Sequence, residues 1–287
     1  MTTMWRWKRA LRLAAWFGVA ALAGCHPGER QLIPVDFILP SPPPAAPLSH
    51  WTANPLRQTE SLEVNGATLR GWTFHSNAST PEKLRILFFN GNAMNIDESR
   101  AIYRQIAVRG GDVTVFDYRG YGFSTGKAHV VDFRADALAE YDMLAASGPV
   151  AVFGFSLGTA MASYVASQRH PAAVILAGTI ASADEEFPVF ARAAGLSASS
   201  VARSMPSTDA ETAFNEVGMM ARSDAPLLML HGEADDLVPI RQGREVFSAS
   251  QAKRKVFVSV PGAGHNETLD SAVAMGAVRE FLAAVAE

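Results

Sequence analysis

Gly154-Phe155-Ser156-Leu157-Gly158 constrains this chain more than any other stretch of it. Pro149-Val150-Ala151-Val152-Phe153 before it is a short apolar run of the kind that forms a buried strand. Thr159 to Ala166 after it is small and helix-compatible. A serine between the two sits on a sharp strand-to-helix turn, which lifts its hydroxyl above the sheet. The flanking glycines are needed because side chains there would collide with the neighbouring strand and helix. The plain alternative is a serine that merely caps the helix.

Two later segments supply what such a serine needs. Near neutral pH a serine hydroxyl is a weak nucleophile without a base, and that base needs an acid to fix its tautomer and stabilise its charge. Pro226 to Leu230 is another buried-strand run, and His231-Gly232-Glu233-Ala234-Asp235-Asp236-Leu237-Val238-Pro239 follows it, with acids in the turn. Lys255 to Val260 is a third, leading into Pro261-Gly262-Ala263-Gly264-His265-Asn266-Glu267. Either acid of the Asp235-Asp236 pair could instead cap a helix beginning near Pro239. His231 ends a strand and is expected to hold the turn together, not to carry protons.

Upstream, Leu84 to Phe89 reads as a strand and opens into Asn90-Gly91-Asn92-Ala93. Amides in such a loop, together with that of Leu157, can face developing negative charge and stabilise it by a few kcal/mol. Asn92 is the expected donor, with Ala93 as the alternative and a plain Asn-Gly turn as the bland reading. Ser61 to Val64, Asn65-Gly66 and Ala67 to Phe74 form an opening hairpin. Strands near 84–89, 112–117, 150–155, 172–177, 226–231 and 255–260 alternate with helical stretches, which calls for a parallel sheet covered on both faces. Asp117 and Arg119, in Asp117-Tyr118-Arg119-Gly120-Tyr121-Gly122-Phe123-Ser124, are expected to form a structural ion pair that shapes the loop.

Taken together, Asn90 to Ala93, Asp117 to Ser124, Gly154 to Gly158, His231 to Asp235 and Gly264-His265 resemble the alpha/beta-hydrolase superfamily over roughly residues 58–285. The closer resemblance is to the branch of monoacylglycerol lipases, protein depalmitoylases and serine aminopeptidase-like enzymes. It implies the alpha/beta-hydrolase fold, an α/β architecture with a mostly parallel central sheet. It also implies catalytic residues in the order serine, acid, histidine, which selects Ser156, Asp235 and His265. Asp235 is preferred to Asp236 because the family's acid stands four residues after the position of His231. The implied chemistry is acyl transfer to water on an ester or thioester. A peptidase or amidase of the same fold and a non-catalytic binding module are the alternatives. One departure concerns Asn90, which stands where the family has a histidine before the glycine. The segment from about 180 to 223 breaks the alternation where such families insert a lid. Phe187-Pro188-Val189-Phe190, Met205, Phe214, Met219 and Met220 in it could line an acyl pocket or pack the lid onto the sheet.

The beginning of the chain speaks of location. Arg6, Lys8, Arg9 and Arg12 precede an unbroken apolar run from Leu13 to Ala23, about half the length that spans a bilayer. The run ends in Leu22-Ala23-Gly24-Cys25, which resembles a bacterial lipoprotein signal, and Cys25 is the sole cysteine. Residues 1–24 are thus expected to be removed, Cys25 to be lipidated, and residues 25–57 to tether a hydrolase domain at 58–287. His26 in place of aspartate points to the outer membrane's periplasmic face. The Pro-rich run from Leu39 to Pro47 favours an extended spacer.

Without residues 1–24, 21 basic and 28 acidic residues remain, a net charge of about −7. That disfavours nucleic acid and electrostatic adhesion to anionic lipid. The expected partners are a small or lipid-like acyl ester and the membrane through Cys25. A single cysteine allows no internal disulfide. No metal-binding cluster or nucleotide fingerprint is visible, so no cofactor is expected.

Overall fold

The computed structural model describes residues 31–33, 46–76, 84–185, 188–189, 197, 204–206 and 212–286. Cys25 and everything before it, most of the Pro-rich run, Phe187 and Phe190 lie outside these residues. Among the described residues no helix is long and apolar enough to cross a membrane.

Ten strands and six α-helices are present among them: β1 (Gln31–Ile33), β2 (Arg57–Val64), β3 (Ala67–Phe74), β4 (Arg85–Phe89), α1 (Arg100–Gly110), β5 (Asp112–Phe116), α2 (Val130–Ala145), β6 (Val150–Phe155), α3 (Leu157–Gln168), β7 (Ala173–Ala177), β8 (Ser204–Pro206), α4 (Glu216–Met220), β9 (Leu227–Gly232), α5 (Ile240–Ala249), β10 (Lys255–Val260) and α6 (Ala272–Val285). Eight strands form one sheet in the order β10-β9-β7-β6-β4-β5-β3-β2. The β2–β3 and β3–β5 pairs are antiparallel and all others are parallel. The β2–β3 hairpin turns through Asn65 at φ 45° and Gly66 at φ 77°, both in the left-handed region that a two-residue turn requires.

Every residue of β6, β7 and β9 is buried, which is why these strands read as unbroken apolar runs in the sequence. The outer strand β2 alternates instead, as an edge with one wet face does. One face of the sheet holds Trp72, Phe88 and Phe153 and is covered by α6 and by α1, which contributes Tyr103. The other holds Leu87, Val152 and Met229 and is covered by α2, α3 and α5. Burying each large apolar side chain contributes roughly 1.5–3 kcal/mol, so the layered core supplies the driving force. The expected fold class is therefore the one observed, an α/β sheet sandwiched by helices.

Residues 46–56 lie against this body. The Trp51 indole N–H donates to the carbonyl of Gly71 (3.1 Å), and the Arg57 guanidinium stacks 3.7 Å above the Trp72 ring. Further up the chain, β1 pairs in parallel with β8 in a separate two-stranded sheet.

The anticipated Asp117–Arg119 ion pair does not form. Arg119 turns to α2 and grips Asp136 with two hydrogen bonds, one from Nε at 2.6 Å and one from Nη2. Both side chains are almost fully enclosed. A buried guanidinium that loses its hydrogen-bonded carboxylate stays charged, so Asp136→Asn should cost about 3 kcal/mol. Urea denaturation of the two proteins checks this; a loss below 1 kcal/mol would show that Asp132, 3.7 Å from Arg119, takes over.

Candidate active site

Ser156 stands between β6 and α3 with φ 52° and ψ −120°, a backbone conformation that costs a non-glycine residue about 1–3 kcal/mol. Three hydrogen bonds hold it there. Its amide donates to the carbonyl of Ala177 at the end of β7 (2.9 Å), and its carbonyl accepts from the Thr159 amide (2.8 Å) and the Thr159 hydroxyl (2.6 Å). The turn is also tightly packed. A Cβ on Gly158 would lie 2.1 Å from the carbonyl oxygen of Phe89, and one on Gly154 would lie 2.4 Å from that of Gly158. Both glycines of the motif are therefore demanded by close backbone approach, and Ser156 is not a side-chain cap of α3.

His265 follows β10 by a short loop, in a turn that opens a 3-10 helix at Asn266–Asp270. Its Nδ1 lies 2.8 Å from Asp235 Oδ2, and both side chains are buried. The carboxylate only accepts, so Nδ1–H donates and Nε2 carries the free lone pair. Nε2 is buried and has no hydrogen-bond partner among the described residues. The imidazole packs 5.2 Å, centroid to centroid, from the Phe155 ring. It also rests on Gly178, where a Cβ would come within 2.8 Å of Cε1. Phe155 precedes Ser156 in the chain, and Gly178 follows the residue that binds the Ser156 amide. The ring thus sits against both neighbours of the serine turn.

Asp235 is fixed from below. Its Oδ1 accepts from the amides of Leu237 (3.1 Å) and Val238 (2.8 Å), leaving Oδ2 for the histidine. Asp236 is exposed. Neither acid caps α5, whose N-cap position is held by Pro239 with no side-chain cap. His231 points its Nε2 at the Val238 carbonyl (2.8 Å), so it donates there and ties the strand end to the turn. Burial lowers its pKa below the usual histidine range.

The loop after β4 lies beside the start of α3, with Gly91 packed on the Phe155 ring. Asn90 is completely enclosed: its Oδ1 accepts from the Tyr103 hydroxyl (2.6 Å) and its carbonyl from the Tyr118 hydroxyl (2.7 Å). Asn92 Oδ1 accepts from the Tyr121 hydroxyl (3.1 Å), and Ala93 takes φ 57°. Leu157 is the first residue of α3, where an amide has no intrahelical acceptor. Asp117 anchors the neighbouring loops by accepting the amides of Ile96 (2.8 Å) and Phe123 (2.9 Å). Burial pushes its carboxyl up to about 7, the two amides pulling the other way. Of the insertion residues, Phe214 and Met220 pack into the core on the α3 side and Met219 is buried too. Among the described residues no cluster of three or more His, Cys, Asp or Glu could hold a metal.

Comparison with known proteins identifies the family of the fold. Residues 85–219 match the alpha/beta hydrolase fold family. An uncharacterized protein of Mycobacterium tuberculosis is 34% identical over 231 residues, 76% of each chain. The chain belongs to the alpha/beta hydrolase superfamily. The lysophosphatidylserine lipase ABHD12 of Rattus norvegicus is 29% identical over 59% of this chain, which spans 46% of that relative's length. An esterase of Pyrococcus furiosus superposes with a TM-score of 0.65 at 16% identity, covering 90% of this chain and 98% of the esterase. A monoacylglycerol lipase of Paleococcus ferrophilus gives 0.58 at 18% identity, covering 76% and 98%. At these identities the two structures attest the hydrolase fold.

Sequence reading did not single out Thr159, Gly178 or Glu216, which meet around Ser156. Gly178 left a faint trace, as a glycine directly after a strand. The tight packing gives a test: Gly158→Ala should lose about 3 kcal/mol or fail to fold, because a backbone oxygen cannot yield as a side chain can. A thermal melt within 2 °C of the wild type would contradict the packing described.

Proposed function

We propose that this protein is a serine hydrolase that cleaves a carboxylic ester or thioester through an acyl-enzyme on Ser156. The observation that carries the reading is the Asp235–His265 hydrogen bond, with the imidazole seated against both neighbours of a strained serine. His265 Nε2 takes the serine proton as the hydroxyl attacks the acyl carbon, then gives it to the leaving group. A water repeats the sequence to release the acid. Asp235 holds the tautomer and stabilises the imidazolium. The amides of Leu157 and Asn92 receive the oxyanion, in a water-poor setting where such donors are effective. The lipase name of ABHD12 supports a lipid-like acyl ester as the substrate class. An amide substrate would use the same groups; the ester reading is preferred because the named lipase relative acts on a lipid.

Cys25 is proposed as the lipidated N-terminus of the mature chain, which would carry the enzyme on a membrane. Cys25→Ser should move the protein from the membrane to the soluble fraction and abolish incorporation of labelled palmitate. Retention in the membrane fraction would refute the anchor.

For the chemistry, wild-type enzyme should react with a fluorescent fluorophosphonate, whereas Ser156→Ala and His265→Ala, though folded, should not. Asp235→Asn should lower kcat on a short-chain ester by about 10³–10⁴-fold. Asp236→Asn should leave kcat within twofold of wild type. Near-wild-type turnover by the Ser156 or His265 variant would overturn the assignment, and a larger loss in the Asp236 variant would move the acid.

A further inference from the structure

Below Ser156 lies a carboxyl group that the chemistry does not use. Glu216, the first residue of α4, is fully buried. Its Oε1 is 2.7 Å from Thr159 Oγ1, and its Oε2 accepts from the Ser163 hydroxyl (2.9 Å). The amide of Ile180 also bonds to it. Its own amide reaches the carbonyls of Ala181 and Phe214, so both stems of the insertion meet at this residue.

The protons around Thr159 can be counted. Its one hydroxyl hydrogen faces two oxygens, the Ser156 carbonyl at 2.6 Å and Glu216 Oε1 at 2.7 Å. The carbonyl cannot donate. If Glu216 were ionised, one of the two short contacts would be oxygen against oxygen with no proton between them. If Glu216 is neutral, Oε1–H donates to Thr159 and Thr159 donates to Ser156, and every proton has a place. We infer that Glu216 is a positioning residue held as the neutral acid, and that the Glu216–Thr159–Ser156 chain locks the strained nucleophile turn. The inference rests on Ser156 being the nucleophile.

The surroundings agree. Burial pushes the Glu216 carboxyl up to about 8, with the hydrogen bonds to Thr159, Ser163 and Ile180 opposing it. Among the described residues no charged side chain faces it. The helix α3 offers two hydroxyls. The helix α5, packed on α4, has Gln242 bonded to the Ala181 amide and Arg241 paired with Glu185 at the surface. A folded state that keeps a proton the unfolded chain releases near 4.5 loses stability as pH rises from about 4.5 to about 8. Above that range the ionised carboxylate competes for the Thr159 proton, and the Ser156 carbonyl loses its hydroxyl donor.

The test compares wild type, Glu216→Gln, Glu216→Ala and Thr159→Val from pH 6 to 10 by fluorophosphonate labelling rate, ester kcat and infrared difference spectroscopy. Wild type should show a protonated-carboxyl band at pH 6.5 that is missing from Glu216→Gln. The band should vanish on alkalinisation with the same midpoint as a fivefold or greater fall in labelling rate. Glu216→Gln keeps a donor toward Thr159 and should abolish that alkaline fall. Thr159→Val should label at least tenfold more slowly at every pH, with no such fall. If Glu216→Ala fails to fold, the other two variants still decide. No band assignable to Glu216, or an unchanged alkaline fall in Glu216→Gln, overturns the inference. No labelling of any form with the band intact would instead refute Ser156 as the nucleophile.

Discussion

The backbone of Ser156 is the constraint on which the rest depends. A serine at φ 52° is held uphill, and the surrounding structure must keep it from relaxing. The Ala177 carbonyl, the two Thr159 donors and the glycine contacts at 154 and 158 do so together. The strain is useful because it aims a side chain that a regular strand or helix would turn into the core. It can persist only where β4, β6, β7 and α3 are already packed to atomic contact.

That packing explains why so many polar groups lie buried around the site. Asn90, Asp117, Asp235 and Glu216 are each enclosed, and each is tied by hydrogen bonds to amides or hydroxyls of neighbouring loops and helices. A buried polar atom without a partner costs about 1–3 kcal/mol, so each of these groups selects one loop arrangement over its competitors. The apolar layers give the fold its stability, and the buried polar groups give its upper rim a single geometry. In that division, Asn90 takes over a structural task without a histidine: one amide side chain and one carbonyl are both capped by tyrosines.

Much of this was legible in the chain. The strand runs were visible because fully buried parallel strands tolerate almost only apolar residues, and observed limits fall within a residue or two of the reading. The hairpin start was missed by four residues, since Arg57 to Glu60 alternates weakly and sits at an edge. Asp117 and Arg119 misled because nearness in sequence and opposite charge suggested a pair. The true partners of Arg119 and Asp117 come from α2 and from loop amides, which no local pattern reveals.

The sequence by itself determined the alternation of strands and helices and the tight serine turn, because these depend on side-chain character and local spacing, while the shortlist of Ser156, Asp235 and His265 came from the resemblance to a known family. Tertiary structure decided which acid faces the histidine, since Asp235 and Asp236 differ only in the direction the turn gives them. It also decided that a glutamate sixty residues beyond Ser156 lies beneath it. Burial and proton sharing are set by neighbours distant in sequence, and a chain read residue by residue carries no mark of them.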